Sequence, residues 1–187
     1  AGFVEHTDHQ VLRLVEGLEE RGVRDNTLFI YIWGDNGSSS EGVQGTVSEL
    51  LAQNQISTTV AQQIAALDEL GGLPALGTAA VDNMYHAGWA WAGSTPFKGT
   101  KLVASYFGGT RNPLAISWPR RIKPSAEVRS QFHHVIDIAP TLYDILEITP
   151  PQLVNGHQQM PIDGISMAYT FDDADAATAK QAQFFDN

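Results

Sequence analysis

The chain contains no cysteine, which excludes disulfides, thiolate metal sites and a cysteine nucleophile among these 187 residues. The compartment stays open on that ground alone. No apolar run approaches the roughly 20 residues that a membrane-spanning helix needs. The first residues, AGFVEHTDHQ, lack the basic and then apolar regions of a secretory signal, so the sequence is expected to begin inside a longer one. Acid is missing from one long stretch. Asn83 to Ala126 holds no Asp or Glu, although the whole chain carries a net charge of −10. That acidity disfavours nucleic acid or an anionic membrane as a partner of the whole surface. Lys98, Lys101, Arg111, Arg120, Arg121 and Lys123 all fall in the acid-free stretch. Two readings of this segregation stand together: a pocket for an anionic group, or a solvated face whose counter-charges come from elsewhere in the fold.

What is present suits one globular core. Hydrophobic residues make up 43% of the chain, enough to argue against disorder, and neither an internal repeat nor a low-complexity linker marks a second domain. Phe3, Val4, Val11, Leu14, Val15 and Leu18 keep helical spacing, and Gly22 follows the basic Arg21 as a stop, so the spacing predicts an amphipathic helix over Phe3 to Arg21. Thr27 to Trp33 is apolar without alternation and predicts a strand buried on both faces, of the kind found inside parallel sheets. Helix then buried strand is half of an α/β unit. Thr58 and Thr59 offer a cap for a helix carrying Val60, Ile64, Leu67 and Leu70. Gly71 to Phe97 reads as a long functional loop with Tyr85, His86, Trp89 and Trp91. Leu114 to Trp118 predicts a second strand closed by Pro119, and Phe132 to Leu146 a third helix with Asp137 as cap and Pro140 in its first turn. The acids Asp172, Asp173 and Asp175 read as surface.

Chemistry concentrates where the first strand stops. Gly34 ends the apolar run and delivers Asp35 and Asn36, two hard oxygen donors, before Gly37. At the carboxyl end of a strand such donors suit Ca²⁺ or Mg²⁺. The same Asp-Asn-Gly is also ordinary turn chemistry. Lys98 or Lys101 would then face an anionic ester, since a divalent cation plus a lysine can neutralise a sulfuryl or phosphoryl group and steady the leaving oxygen. His86 is the candidate substrate-facing histidine. His6 and His9 have a spacing that can chelate a metal, although a polar helix face explains them as well. His133 and His134 could approach the anion site or serve as surface or supporting groups, and Glu41 and Glu49 read as loop acids able to order the metal turn.

Five motifs in order carry a resemblance: GDNG after the apolar strand, TPFKGTK, FGGTRNPLAISWP, HHVIDIAPTLYDIL and PIDGISMAYTF. Together, from about Phe3 to Phe185, they resemble the middle and later part of the arylsulfatase family. The resemblance implies an α/β fold, an alkaline-phosphatase-like sandwich with a mostly parallel central sheet flanked by helices, of which residues 1–187 would be a single partial domain. It implies sulfuric ester hydrolysis acting on a small-molecule sulfate ester. It also implies Asp35 and Asn36 as ligands to a divalent cation (Ca²⁺, with Mg²⁺ or Mn²⁺ as alternatives), and a lysine contacting the sulfate. Counting back from Gly108 and Gly109 favours Lys101 in that role, with Lys98 as a neighbour that stacks or screens. Arg111 is expected to order the glycine-rich turn or to pair with a carboxylate rather than touch substrate. A periplasmic or secreted location is the family-based expectation.

The departures matter equally. Phe107 stands where the family pattern has an acid before the paired glycines. The family's Cys-x-Pro-x-Arg motif, whose cysteine becomes formylglycine, is absent, as are its early aspartates and early histidine. The 187 residues are therefore expected to be an internal portion that is inactive alone, with formylglycine supplied by a preceding portion. Association with that portion or self-association is expected through uncovered strand edges and apolar faces. A phosphomonoesterase or phosphodiesterase of the same fold, and a non-catalytic metal- or anion-binding remnant, are the competing readings.

Overall fold

The computed structural model describes residues 2–43, 45, 47–82, 84–125 and 127–184. Helix α1 spans Gly2–Glu20, and Gly22 ends it in the left-handed region at φ +66°. The Gly22 and Val23 amides return to the Glu19 and Leu18 carbonyls, so orphan carbonyls of the last turn are satisfied. Phe3 and Leu14, expected on its buried stripe, are 82% and 63% exposed.

Strand β1 spans Phe29–Ile32 and pairs with β2, Leu114–Ser117. Its expected two-face burial is not found, since Ile32 is 37% and Trp33 43% exposed. The reason is that β1 has one neighbouring strand among the described residues. A second small sheet joins β3, Leu153–Val154, antiparallel to β4, His157–Gln158. Helices with small sheets make this an α/β chain; the described strands form these two pairs rather than one larger sheet.

Between β1 and β2 lie α2 (Glu49–Gln53), α3 (Val60–Glu69), α4 (Ala87–Ser94) and the one-turn α5 (Phe107–Thr110). The expected cap of α3 is present as a reciprocal pair: Thr59 Oγ1 accepts from the Gln62 amide at 3.3 Å and Gln62 Oε1 accepts from the Thr59 amide at 2.8 Å. Helix α4 falls inside the expected long loop. His86 starts it by accepting the Gly88 amide on Nδ1 at 2.8 Å, a cap that counting Gly88 and Gly93 as breakers conceals. After β2, the expected helix Phe132–Leu146 begins late, as a 3₁₀ turn at Val135–Asp137 followed by α6, Ile138–Ile145.

The chain divides into two compact units, one from Ala1–Val11 with Tyr31–Ala115, the other from Leu12–Ile30 with Ile116–Phe185. Within the first, Ala75, Val81 and Ala90 are buried. Within the second, Met167 and Phe171 are buried beside the polar Asp137, Thr141, Thr170 and Lys180.

Candidate active site

All five sequence-predicted site residues, Asp35, Asn36, His86, Lys98 and Lys101, lie in the first unit. The turn after β1 is set by Gly34, whose φ of +124° a side chain would oppose. Asp35 is exposed and Asn36 half-buried, and Asn36 Nδ2 donates to Asp35 Oδ1 at 2.7 Å. That bond engages the amide nitrogen and Asp35 Oδ1, so Asn36 Oδ1 and Asp35 Oδ2 are the oxygens left to meet a cation.

The next residue binds the turn to the lysine loop. Gly37 is buried and its amide donates to the Gly109 carbonyl at 2.8 Å. A Cβ on Gly37 would lie 1.8 Å from the Gly108 carbonyl oxygen, so no other residue fits without moving the backbone. One residue further, the Lys101 amide donates to the Ser38 carbonyl at 3.0 Å, and the Ser40 and Thr100 hydroxyls share a 3.3 Å bond. Two loops about sixty positions apart in the sequence are thereby stitched along their backbones. Gly37, Gly108 and Gly109, by lacking side chains, let these two backbones come together.

The lysine loop is itself closed tightly. The Gly108 amide donates to the Lys98 carbonyl at 2.8 Å, and a Cβ on Gly108 or Gly109 would sit 2.1 Å from the Gly99 oxygen or 2.2 Å from the Val103 oxygen. Lys101 Nζ lies 3.4 Å from Glu41 Oε1, both side chains partly exposed. An ion pair this open contributes at most about 1 kcal/mol, so it orients the ammonium more than it stabilises the fold. Lys98 Nζ lies 5.9 Å from the Tyr106 ring centroid. Arg111 lies over the Phe97 ring at 4.9 Å and the Phe107 ring at 5.9 Å. Phe107, at the position where an acid was expected, thus packs under that guanidinium.

His86 is exposed, with Nδ1 spent on the α4 cap and its ring edge near Gly45. Glu49 accepts from Gln53 within α2 and is not part of the turn. His6 and His9 are exposed on α1. Among the described residues no three His, Cys, Asp or Glu side chains converge as a metal cage. Asp35 and Asn36 fit a hard divalent cation in donor chemistry but supply two oxygens of the six to eight that Ca²⁺ takes.

A second polar cluster, in the other unit, was not expected from the sequence. Asp137 is fully buried. Oδ2 accepts from the His134 amide at 2.9 Å and from His133 Nδ1 at 3.0 Å, while Oδ1 accepts from the Ile165 amide and from Lys180 Nζ, both at 3.0 Å. Burial alone raises its pKa, but the donated bonds from His134, Ile165, Lys180 and His133 outweigh burial and hold the carboxyl below its ordinary range. His133 Nε2 meets the Tyr169 hydroxyl at 3.0 Å, and that hydroxyl accepts the Ala179 amide at 3.1 Å. Thr141 Oγ1 donates to the Asp137 carbonyl and accepts the Met167 amide. The cluster ties the segment after β4, which has little regular structure, to the start of α6. The signal available in the sequence was a lone aspartate followed by IAPT, which reads as a cap; Lys180, 43 residues away, carried no local signal.

A family model described as Sulfatase matches residues 1–148. That places the chain in the sulfatase and alkaline-phosphatase-like superfamily, and within it the chain belongs to the Sulfatase family. The matched residues include the Asp-Asn turn, both lysines and HHVIDIAPTLYDIL, whereas PIDGISMAYTF lies beyond them.

Proposed function

We propose that the chain supplies the anion contact and part of the metal shell of an arylsulfatase-type sulfuric ester hydrolase, within an alkaline-phosphatase-like sandwich of which residues 1–187 form one portion. The observation that carries this reading is the pair of backbone bonds, Gly37 to Gly109 and Lys101 to Ser38, joining the hard-oxygen turn to the lysine loop. Asp35 and Asn36 would hold a divalent cation, Ca²⁺ before Mg²⁺ or Mn²⁺, with the remaining oxygens coming from other residues. When bound, the cation would add positive charge beside the sulfuryl oxygens, and a formylglycine from outside this cysteine-free sequence would supply the nucleophile.

The residues of this chain bind and orient. Lys101 would offer an ammonium to a sulfate oxygen, and Glu41, 3.4 Å away, would hold that ammonium until the anion takes its place. His86, with Nε2 free of the cap, is the further group proposed to face substrate. The exposed apolar side chains of α1 and α3, Phe3, Leu14, Val60 and Ile64 among them, support association with further polypeptide or with a second copy.

Titration of the ¹⁵N-labelled chain with sodium sulfate tests the anion contact. Shifts should centre on the Lys101, Ser38 and Gly109 amides and disappear in Lys101→Met. Shifts elsewhere, or shifts that survive the substitution, would remove Lys101 from the role. Saturable binding of sulfate and Ca²⁺ without turnover of 4-nitrophenyl sulfate, by a protein that also carries the formylglycine motif, would favour a binding module. Hydrolysis of 4-nitrophenyl phosphate in preference to the sulfate would favour a phosphatase.

A further inference from the structure

Asparagine followed by glycine occurs at Asn36–Gly37 and again at Asn155–Gly156. Such a pair carries its own chemistry. The glycine nitrogen, unhindered by a Cβ, attacks the asparagine Cγ, and the carboxamide nitrogen leaves as ammonia. By sequence the two pairs are equivalent; the fold separates them.

At Asn36–Gly37 the attacking nitrogen is committed. The Gly37 amide donates to the Gly109 carbonyl at 2.8 Å, and Gly37 is buried. A Cβ there would lie 1.8 Å from the Gly108 oxygen, so the backbone has no room to turn toward the asparagine side chain. Asn36 Nδ2 is held as well, by Asp35 Oδ1 at 2.7 Å. Ring closure at this pair requires the two stitched loops to part.

Asn155 and Gly156 form the turn between β3 and β4, at φ +50° and +82°, the positive-φ pair that a tight hairpin takes. Both are exposed, and nothing lies within 4 Å of a Cβ built on Gly156. Among the described residues, neither the Asn155 carboxamide nor the Gly156 amide has a hydrogen-bond partner. The ladder beneath the turn is short: Leu153 opposite Gln158, Val154 opposite His157, then the Gln159 amide on the Gln152 carbonyl at 2.9 Å. Pro151 to Met160 is exposed throughout. A hairpin this short with no packed face is marginal, so it opens locally at little cost in free energy. Opening frees the backbone between Asn155 and Gly156 to bring the nitrogen onto Cγ.

We propose that Asn155 is a site of spontaneous deamidation and that the fold protects Asn36 from the same reaction. The bond from Gly156 N to Asn155 Cγ forms, the Gly156 amide proton passes to solvent base, and the Cγ–Nδ2 bond breaks with release of ammonia, leaving a cyclic imide. Water then opens the imide at one carbonyl to give aspartate or at the other to give isoaspartate. Either product adds a negative charge. Isoaspartate also routes the main chain through the side-chain methylene, and because register follows from turn length, the β3–β4 pairing is lost. Asn155 lies outside the residues of the Sulfatase match, so the proposal stands apart from the reading of the first unit.

Incubation of the intact protein in warm, mildly alkaline buffer, followed by peptide mass mapping, tests this at both pairs. The acid should accumulate at Asn155 at least about tenfold faster than at Asn36, and isoaspartyl methyltransferase should label the Asn155 peptide alone. In urea that unfolds the protein, the two rates should converge. Equal rates in the folded protein, or no reaction at Asn155, overturn the proposal. A difference that persists in urea also overturns it, by assigning the selectivity to the neighbours Asp35 and Val154 rather than to the fold. The Asn155→Asp variant, which adds the charge without lengthening the chain, should keep the amide protection of Val154 and Gln159, and the isoaspartate form should lose it. Equal protection in the two would overturn the loss of register.

Discussion

Gly37 shows how one missing side chain organises the proposed site. The 1.8 Å approach that a Cβ would make to the Gly108 oxygen involves backbone on both sides, so no side chain can swing away to relieve it. Gly37→Ala should therefore destabilise the fold by about 2 kcal/mol or more, read as a lower midpoint in urea, and should separate the Asp-Asn turn from Lys101. An unchanged midpoint would mean that the two loops are not in contact. Asp137 makes the matching case for a buried charge. Lys180→Met leaves the carboxylate without its cation, and breaking such a pair costs about 3 to 5 kcal/mol. The pH dependence follows from the direction of the shift. The folded pKa lies below the ordinary 3.8, so the stability contributed by Asp137 is complete above that value and is lost as pH falls through the folded pKa. Asp137→Asn should lower stability at neutral pH and flatten the acid limb of the stability curve. An acid limb identical to wild type would show that Asp137 titrates normally.

At the scale of elements, the legible parts were those encoded locally. Apolar spacing and Gly22 gave α1, the Thr58–Thr59 cap before Val60, Ile64, Leu67 and Leu70 gave α3, and Pro119 closed β2. Thr59→Ala should cost about 1 kcal/mol and lower helical content in α3, measured as faster amide exchange at Gln62 and Gln63. Exchange unchanged there would mean that packing rather than the cap holds the helix. Helix α4 was missed because its start depends on an imidazole cap, and Gly88 and Gly93 read as breakers. The late start of α6 was missed because Asp137 turns its carboxylate back to the His134 amide and across to Ile165 and Lys180. No local window contains those partners. In the same way, Asp35, Asn36 and Lys101 were legible as candidates, while the bonds that draw their loops together depend on Ser38, Gly37 and Gly109 meeting across a long separation. The expected burial of β1 failed for a related reason, since it depends on neighbours that a strand cannot specify alone.

At the scale of the molecule, the Sulfatase family match covers residues 1–148, and the stitched loops of the first unit lie within that span. The net charge of −10 makes the lysine loop a local exception, which suits a small anionic substrate better than a large anionic surface. If the Asp-Asn turn and Lys101 form one site, a cation bound at the first must favour an anion bound at the second, and the coupling must be reciprocal. Calorimetric titration with sulfate of a protein that joins these residues to the formylglycine-bearing portion, in the presence and absence of Ca²⁺ and repeated with Asp35→Ala, tests this most directly. The account predicts that Ca²⁺ tightens sulfate binding severalfold, by about 1 kcal/mol or more, and that Asp35→Ala abolishes the effect. Sulfate affinity indifferent to Ca²⁺, or a coupling that persists without the Asp35 carboxylate, would contradict it.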